Sequence, residues 1–524
     1  MLPCLAAVLF VVGACAAPAQ VPAPQGTAQT LVVLITVDQL RGDYLDRWRG
    51  QLTGGFKRLL EEGASFSDAH QDHAVTETAP GHASLLSGRF PRSTGITRNA
   101  AGVGDPASPV IEIARGAPAS PARFRGTTLV DWIKATSPRS RALSVSYKDR
   151  GAILPIGRSK QEVFWYVGEL FTTSTWYRDT LPDWVRKFNA TTVRSYAGRE
   201  WNLLLGPEAY PEPDSVPIEA RQEGARVVFP YRLSDSAEIS ARQIPQFPFM
   251  DEVTAAFALQ GLEQLGLGRG PHTDVLAVSF STLDLVGHRF GPDSREVHDQ
   301  LLRLDRTLGK FLDSLFRLRA PGSVVLALTG DHGVTPFPEL NGRTTPAPVR
   351  VDLSPALRAA EQVIAAAKGN PGALDFESGG LFIERDSVRA PAGKVREAVD
   401  SFMVAARRIP GVMRVDRFAS LSRDTAKQDP ISRRWVQMFP SDVPVEVVVT
   451  LTPGSYWNYY NAAMHGAPHN YDSHVPLIFW GAAFKPGRHE GFVRTVDLAP
   501  TLAQALGVKP TERLDGRPLT AALR

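Results

Sequence analysis

The chain has 524 residues, 43% hydrophobic and 21% charged, with 58 Lys and Arg against 54 Asp and Glu for a net charge of +4. That balance excludes a disordered, collagen-like or coiled-coil chain. With no dominant basic run there is no electrostatic footprint for a nucleic-acid partner. The length suits about three domains of roughly 150 residues each, or one large α/β domain carrying insertions.

Residues 1–22 read as an export signal and linker: a short apolar stretch, small residues, then a Pro-rich spacer. The apolar stretch is too short to span a bilayer, and no Lys or Arg precedes it. Val12-Gly13-Ala14-Cys15 resembles a bacterial lipobox with Cys15 as a possible lipid anchor, while Ala14-Cys15-Ala16 equally suits a cleavage site. Either reading sends the protein out of the cytoplasm, to the periplasm or to a membrane as a lipoprotein. Cys4 and Cys15 are the only cysteines, so the body of the protein, residues 23–524, has none to pair.

Leu31 to Val37 (LVVLITV) is an unbroken β-branched run of the kind buried inside a parallel sheet, and it leads straight into Asp38. Further on, Thr76-Glu77-Thr78-Ala79-Pro80-Gly81-His82-Ala83-Ser84 carries a candidate nucleophile. Pro80 suits the first turn of a helix. Thr78 would then stand at the helix entrance, where free N–H groups favour an alkoxide or a phosphoryl group. A plain N-capping threonine fits the segment equally well. Thr97-Arg98-Asn99 follows as a possible set of phosphate donors. After the possible strand Ala142–Val145 comes Lys148-Asp149-Arg150, whose cations would share one face if that segment is extended. Taken alone, a solvated surface pair explains it as well.

Residues 155–265 are rich in Trp, Tyr, Phe and Pro, among them Trp165, Tyr166, Trp176 and Tyr177, and read as an insertion over the carboxyl edge of the sheet. Those rings either shape access for a leaving group or form a satellite core. Val275–Phe280 is the next buried run, followed by Asp284 and, four residues on, His288. That spacing puts both side chains on one helix face. A helix of about five turns is expected around Val297, Leu301, Leu304, Leu308, Phe311, Leu312 and Leu315. Val324–Leu328 then leads into Thr329-Gly330-Asp331-His332-Gly333. Strand, helix, strand in this order is a βαβ unit and predicts a doubly wound, mostly parallel α/β core flanked by helices. A second insertion is expected at about 340–440. Val445–Leu451 and Val475–Phe479 read as further strands of the same kind, with Met464-His465-Gly466 ahead of the last.

Each polar piece is weak alone, because an Asp after a strand is more often a helix cap than a ligand. Four such pieces at the ends of predicted strands together suit zinc or a similar divalent ion.

The segments V-D-Q, T-x-P-G-H-A-S, K-D-R-G-A-I-L-P, D-x-x-x-H, G-D-H-G and H-G…Y-D-S-H-V-P resemble the alkaline phosphatase superfamily, in order and from about residue 30 to the C-terminus. Within it they are most similar to the monomeric, phosphate-irrepressible bacterial alkaline phosphatases with a threonine nucleophile and two zinc ions per chain. The resemblance implies one zinc on Asp284, His288 and His465, and another on Asp38, Asp331, His332 and the Thr78 hydroxyl. It assigns Asn99, Lys148 and Arg150 to the phosphate oxygens and implies a covalent phosphothreonine that water then hydrolyses. His465, His469 and His474 share one loop; His465 aligns with the lysine that sulfatases of the superfamily carry, which leaves His474 a supporting role. The Lys148–Arg150 pair favours small-molecule phosphomonoesters, since the related phosphodiesterases lack it. A phosphodiesterase or nucleotide pyrophosphatase is the alternative. A sulfatase is disfavoured by the lack of a nucleophile cysteine, a mutase by the export signal and threonine, and a non-catalytic binding protein by the full ligand set.

Overall fold

A computed structural model describes residues 30–524 except 115, 220–225, 341–345, 423, 425, 426, 428 and 459–462. The export signal, the linker and Cys15 lie outside the described residues. Among those described, no helix is long and apolar enough to cross a membrane.

A ten-stranded sheet carries the molecule, and its centre is the first buried run. Leu31–Val37 lies between Asp274–Phe280 and Val324–Gly330, parallel to both and buried along its whole length. Ala142–Ser146 and Glu162–Val167 extend the parallel set beyond Asp274–Phe280. Alternate side chains feed opposite faces, as the pleat requires. Val33, Ile35 and Val37 share one core with Leu301, Leu308 and Leu315 of the helix Arg295–Leu318, while Val32 and Leu34 join Ala79, Leu129 and Leu502 in the core on the other face. This is the doubly wound α/β architecture.

Register does the positioning. Val37 stands opposite both Phe280 and Gly330. The residues that follow these three positions, Asp38, Ser281 and Asp331, therefore leave the sheet side by side at its carboxyl edge, where open α/β sheets place their sites.

Two expected parallel strands are placed differently. His474–Gly481 does join the central sheet, but antiparallel to Val324–Gly330 and Ala64–His70. The loop carrying His465 arrives at the carboxyl edge, so the strand after it starts there and runs the other way. Val445–Leu451 is not in the central sheet. It belongs to a four-stranded antiparallel sheet with Leu374–Glu377, Gly380–Ile383 and Val412–Arg417. Helices Ser354–Ala366 and Ala392–Ala406 back that sheet and share its own core. The stretch 155–265 is also divided. Glu162–Val167 and Leu170–Thr172 are strands of the central sheet, and helix Phe249–Gln264 packs its Phe257 and Leu262 into the core on one face.

Candidate active site

Thr78 opens the helix Thr78–Leu85, with Glu77 at the capping position and no side-chain cap. The threonine hydroxyl does not cap the helix. It lies 3.4 Å from His332 Nε2 and 3.4 Å from Lys148 Nζ. Lys148 Nζ also stands 2.8 Å from Asp38 Oδ2 and 2.5 Å from Asp284 Oδ2. Lys148 and Arg150 are not on an extended segment: the strand ends at Ser146 and helix Asp149–Ile153 begins. Lys148 stands at the capping position of that helix without a side-chain cap and Arg150 sits in its first turn, yet both line one cavity of about 490 Å³. Thr78, Asn99, His288, His465, Glu77, Glu377, Ser378 and Trp457 line it too. The Asn99 amide is oriented by its neighbours, since its Oδ1 accepts the Ala79 N–H at 2.9 Å. Its Nδ2 donors are left for the cavity.

Two groups able to hold a metal ion lie beside Thr78. Asp38, Asp331 and His332 hold their ligand atoms within 4.8 Å of one another, and so do Asp284, His332 and His465. His288 joins the second group through Asp284, with Nε2 3.2 Å from Oδ1. The residues fit divalent metal ions on two counts. Three carboxylates, Asp38, Asp284 and Asp331, are buried together there, and Lys148 is the lysine set among them, 2.8 Å from Asp38 Oδ2 and 2.5 Å from Asp284 Oδ2. In addition, each imidazole turns Nδ1 to a backbone carbonyl: His288 to Ala463, His332 to Gly333 and His465 to Thr76. A carbonyl only accepts, so Nδ1 carries a proton and Nε2 is the nitrogen left to face the site, the usual support of a metal-ligating histidine.

The field at the site favours cations. Burial alone would raise Asp284, but the charges of His288 and Lys148 hold it well below the usual carboxylate range. Asp331 is likewise brought to about 2, against its burial, by His332 and His82. Burial opposes a charge on His332, yet Asp331 and Asp38 push it up to about 9. His465 is pulled down to about 3 by burial and by the neighbouring His332. Burial also opposes the Lys148 charge, and Asp284 and Asp38 outweigh it.

His474 stands apart. Its Nε2 meets Ser67 O at 2.7 Å and its ring stacks on His70. Four residues beside the site carried no assigned role in the sequence. His82 links Thr78 O at 2.9 Å, Asp331 Oδ2 at 3.1 Å and Ser279 Oγ at 2.9 Å. Gln39 donates to the carboxylates of Asp331 and Asp284. Glu77 accepts the Asn99 N–H at 2.7 Å and the Ser378 hydroxyl at 2.6 Å. Gln39 and His82 stand inside V-D-Q and P-G-H-A-S, which is the signal that could have found them; Ser378 had none.

Carboxylates and imidazoles at the carboxyl edge of this sheet, facing a threonine at a helix entrance, are the arrangement that the resemblance to the alkaline phosphatase superfamily implies. Comparison with known proteins agrees: the family model of type I phosphodiesterase / nucleotide pyrophosphatase matches residues 32–356, and the chain belongs to that family. It is 31% identical to alkaline phosphatase PhoV of Synechococcus elongatus over 96% of this chain and 94% of that protein. It is 30% identical to alkaline phosphatase PafA of Elizabethkingia meningoseptica over 94% of each. The crystal structure of wild-type PafA superposes with a TM-score of 0.84 at 26% identity, covering 95% of this chain and 99% of that one. A second PafA structure is of a variant with a threonine, an asparagine, a lysine and an arginine replaced. The threonine-to-asparagine and lysine-to-arginine intervals in it equal those from Thr78 to Asn99 and from Lys148 to Arg150.

Proposed function

We propose that the chain is a zinc-dependent phosphomonoester hydrolase that acts through a covalent phosphothreonine on Thr78 and releases inorganic phosphate. The observation that carries this reading is the Thr78 hydroxyl, uncapped at a helix entrance and within 3.4 Å of both His332 and Lys148. The alkaline phosphatases similar along nearly the whole chain support it. Asp38, Asp331 and His332 would hold one zinc, and Asp284, His288 and His465 the other. When bound, the two ions supply Lewis acidity that lowers the pKa of the attacking hydroxyl and stabilises the departing oxygen.

The chain's own residues do the rest. Thr78 Oγ bonds to phosphorus as the ester P–O bond breaks and the alcohol leaves; water then cleaves the phosphothreonine. The Thr78–Leu85 helix entrance favours the negative charge on the reacting group. Asn99 Nδ2, Lys148 and Arg150 would take the non-bridging oxygens. A monoester dianion presents three charged oxygens to two cations, whereas a diester puts an uncharged substituent in their place.

The family model's description favours a second reading, diester or pyrophosphate cleavage at the same site. Hydrolysis of p-nitrophenyl phosphate and of bis-p-nitrophenyl phosphate, with zinc supplied, separates the two. A strong monoester preference is expected, and Lys148→Ala should lower it by about 10²–10³-fold. Thr78→Ala should abolish turnover, by about three orders of magnitude or more, while phosphate still binds. A diester preference in the wild type would overturn the substrate assignment.

A further inference from the structure

Gln39 follows the ligand Asp38, is 1% exposed, and has a φ of 65°. Few residues with a side chain adopt the left-handed region, and the strain persists only where the surroundings hold it. From this conformation the Gln39 backbone N–H donates to Asp331 Oδ1 at 3.0 Å. Its side-chain Nε2 donates to Asp284 Oδ1 at 2.9 Å. Asp331 belongs to one ligand group and Asp284 to the other. One residue thus ties together two carboxylates that stand at the ends of different elements.

The opposing helix is shaped for it. Gly287 lies between Asp284 and His288 on helix Thr282–Phe290, and a Cβ there would fall 1.8 Å from Gln39 Oε1. Only a glycine leaves the amide room to lie against that helix.

We infer that Gln39 is a positioning residue that fixes Asp284 relative to Asp331 and so couples the two metal-ligand groups. The inference rests on the metal reading given above. A ligand carboxylate that has lost such a hydrogen bond typically binds its metal about 10- to 100-fold more weakly. Gln39→Gly removes the link to Asp284 while keeping the backbone N–H and relieving the left-handed strain. Gly287→Ala displaces the same amide without touching a ligand.

The test is a zinc titration of the full chain against a competing chelator. The wild type should take up two zinc ions, and each variant should bind one of them about 10- to 100-fold more weakly. Excess zinc should restore most of the turnover of Gln39→Gly, and the melting temperature of its zinc-free form should match the wild type. A purely structural role predicts the reverse: a lower zinc-free melting temperature and no rescue. Unchanged affinity for both ions in both variants would overturn the inference while the metal reading stands. A wild type that binds no zinc overturns both.

Discussion

The stretches 155–265 and 340–440 interrupt the same sheet, and their relation to the site is opposite. The first is the more aromatic, yet none of its described residues lines the cavity beside Thr78. Trp165 and Tyr166 are buried on the strand Glu162–Val167, and Phe164, Phe171, Phe188 and Trp184 gather around Phe257. The second sends Glu377 and Ser378, at the turn between Leu374–Glu377 and Gly380–Ile383, to the cavity wall. Topology explains the contrast. The first stretch leaves the carboxyl end of Ala142–Ser146 and returns to the amino end of Asp274–Phe280, so it must cross the sheet and packs on it. The second leaves the carboxyl end of Val324–Gly330 and returns to His474–Gly481, which starts at that same edge. Aromatic content reports burial; the edge at which a chain enters and leaves reports access to the site.

The sharpest way to break this comparison is Phe257→Ala. Phe257 is fully buried, 4.2 Å from the Phe171 ring and 4.9 Å from the Trp184 ring. Its loss should cost about 3–5 kcal/mol of stability, read by urea unfolding. At the same time kcat/KM per folded molecule should hold. A large loss of kcat/KM without a loss of stability would mean that the aromatic stretch serves the site after all.

The same topology decides what could be read in advance. Asp38, Asp331 and His332 were legible because each follows an unbroken buried run, and parallel strands in register end side by side. Asp284 and His288 were legible from helical spacing on Thr282–Phe290. Val445–Leu451 looks like the other runs because a buried strand has the same composition in either sheet. The direction of His474–Gly481 depends on where the preceding loop arrives, which is not a local property. Lys148 and Arg150 converge by a helix start rather than by strand alternation. Gln39 and His82 act through hydrogen bonds to residues hundreds of positions away, and no periodicity records those.

A second test probes where the first stretch, through Tyr231, packs on the helix Arg295–Leu318. Glu296, fully buried on the helix Arg295–Leu318, accepts the Tyr231 hydroxyl at 2.7 Å, and its Oε2 is without a donor among the described residues. Burial, with the Glu219 charge adding to it, pushes this carboxyl up to about 8. Between its ordinary value of 4.5 and about 8 the folded protein holds a proton that the unfolded chain releases. Stability from this group is therefore complete at low pH and is lost as pH rises across that window, by at most about 1.4 kcal/mol per pH unit. Glu296→Gln keeps an acceptor for Tyr231 and should flatten the slope between pH 5.5 and 8.5, measured by urea unfolding. A slope that stays the same would show that Glu296 is ionised in the folded protein.

The smallest expected effect bears on the second stretch and on what it contributes. Ser378 donates to Glu77, Glu77 accepts the Asn99 N–H, and Asn99 accepts the Ala79 N–H in the helix that Thr78 opens. Arg98, next to Asn99, pairs with Glu377, so the turn holds the segment at two adjacent points. Ser378→Ala removes one hydrogen bond of this relay without touching a ligand or a group on phosphate. A hydrogen bond of this kind is worth about 0.5–1.5 kcal/mol net, so kcat/KM for a monoester should fall about two- to tenfold. Because Asn99 would be held less firmly, inorganic phosphate should inhibit more weakly by a similar factor, while bound zinc should stay at the wild-type level. Unchanged kcat/KM and phosphate inhibition would make the turn a wall only, and the difference between the two stretches would then be one of proximity rather than of function.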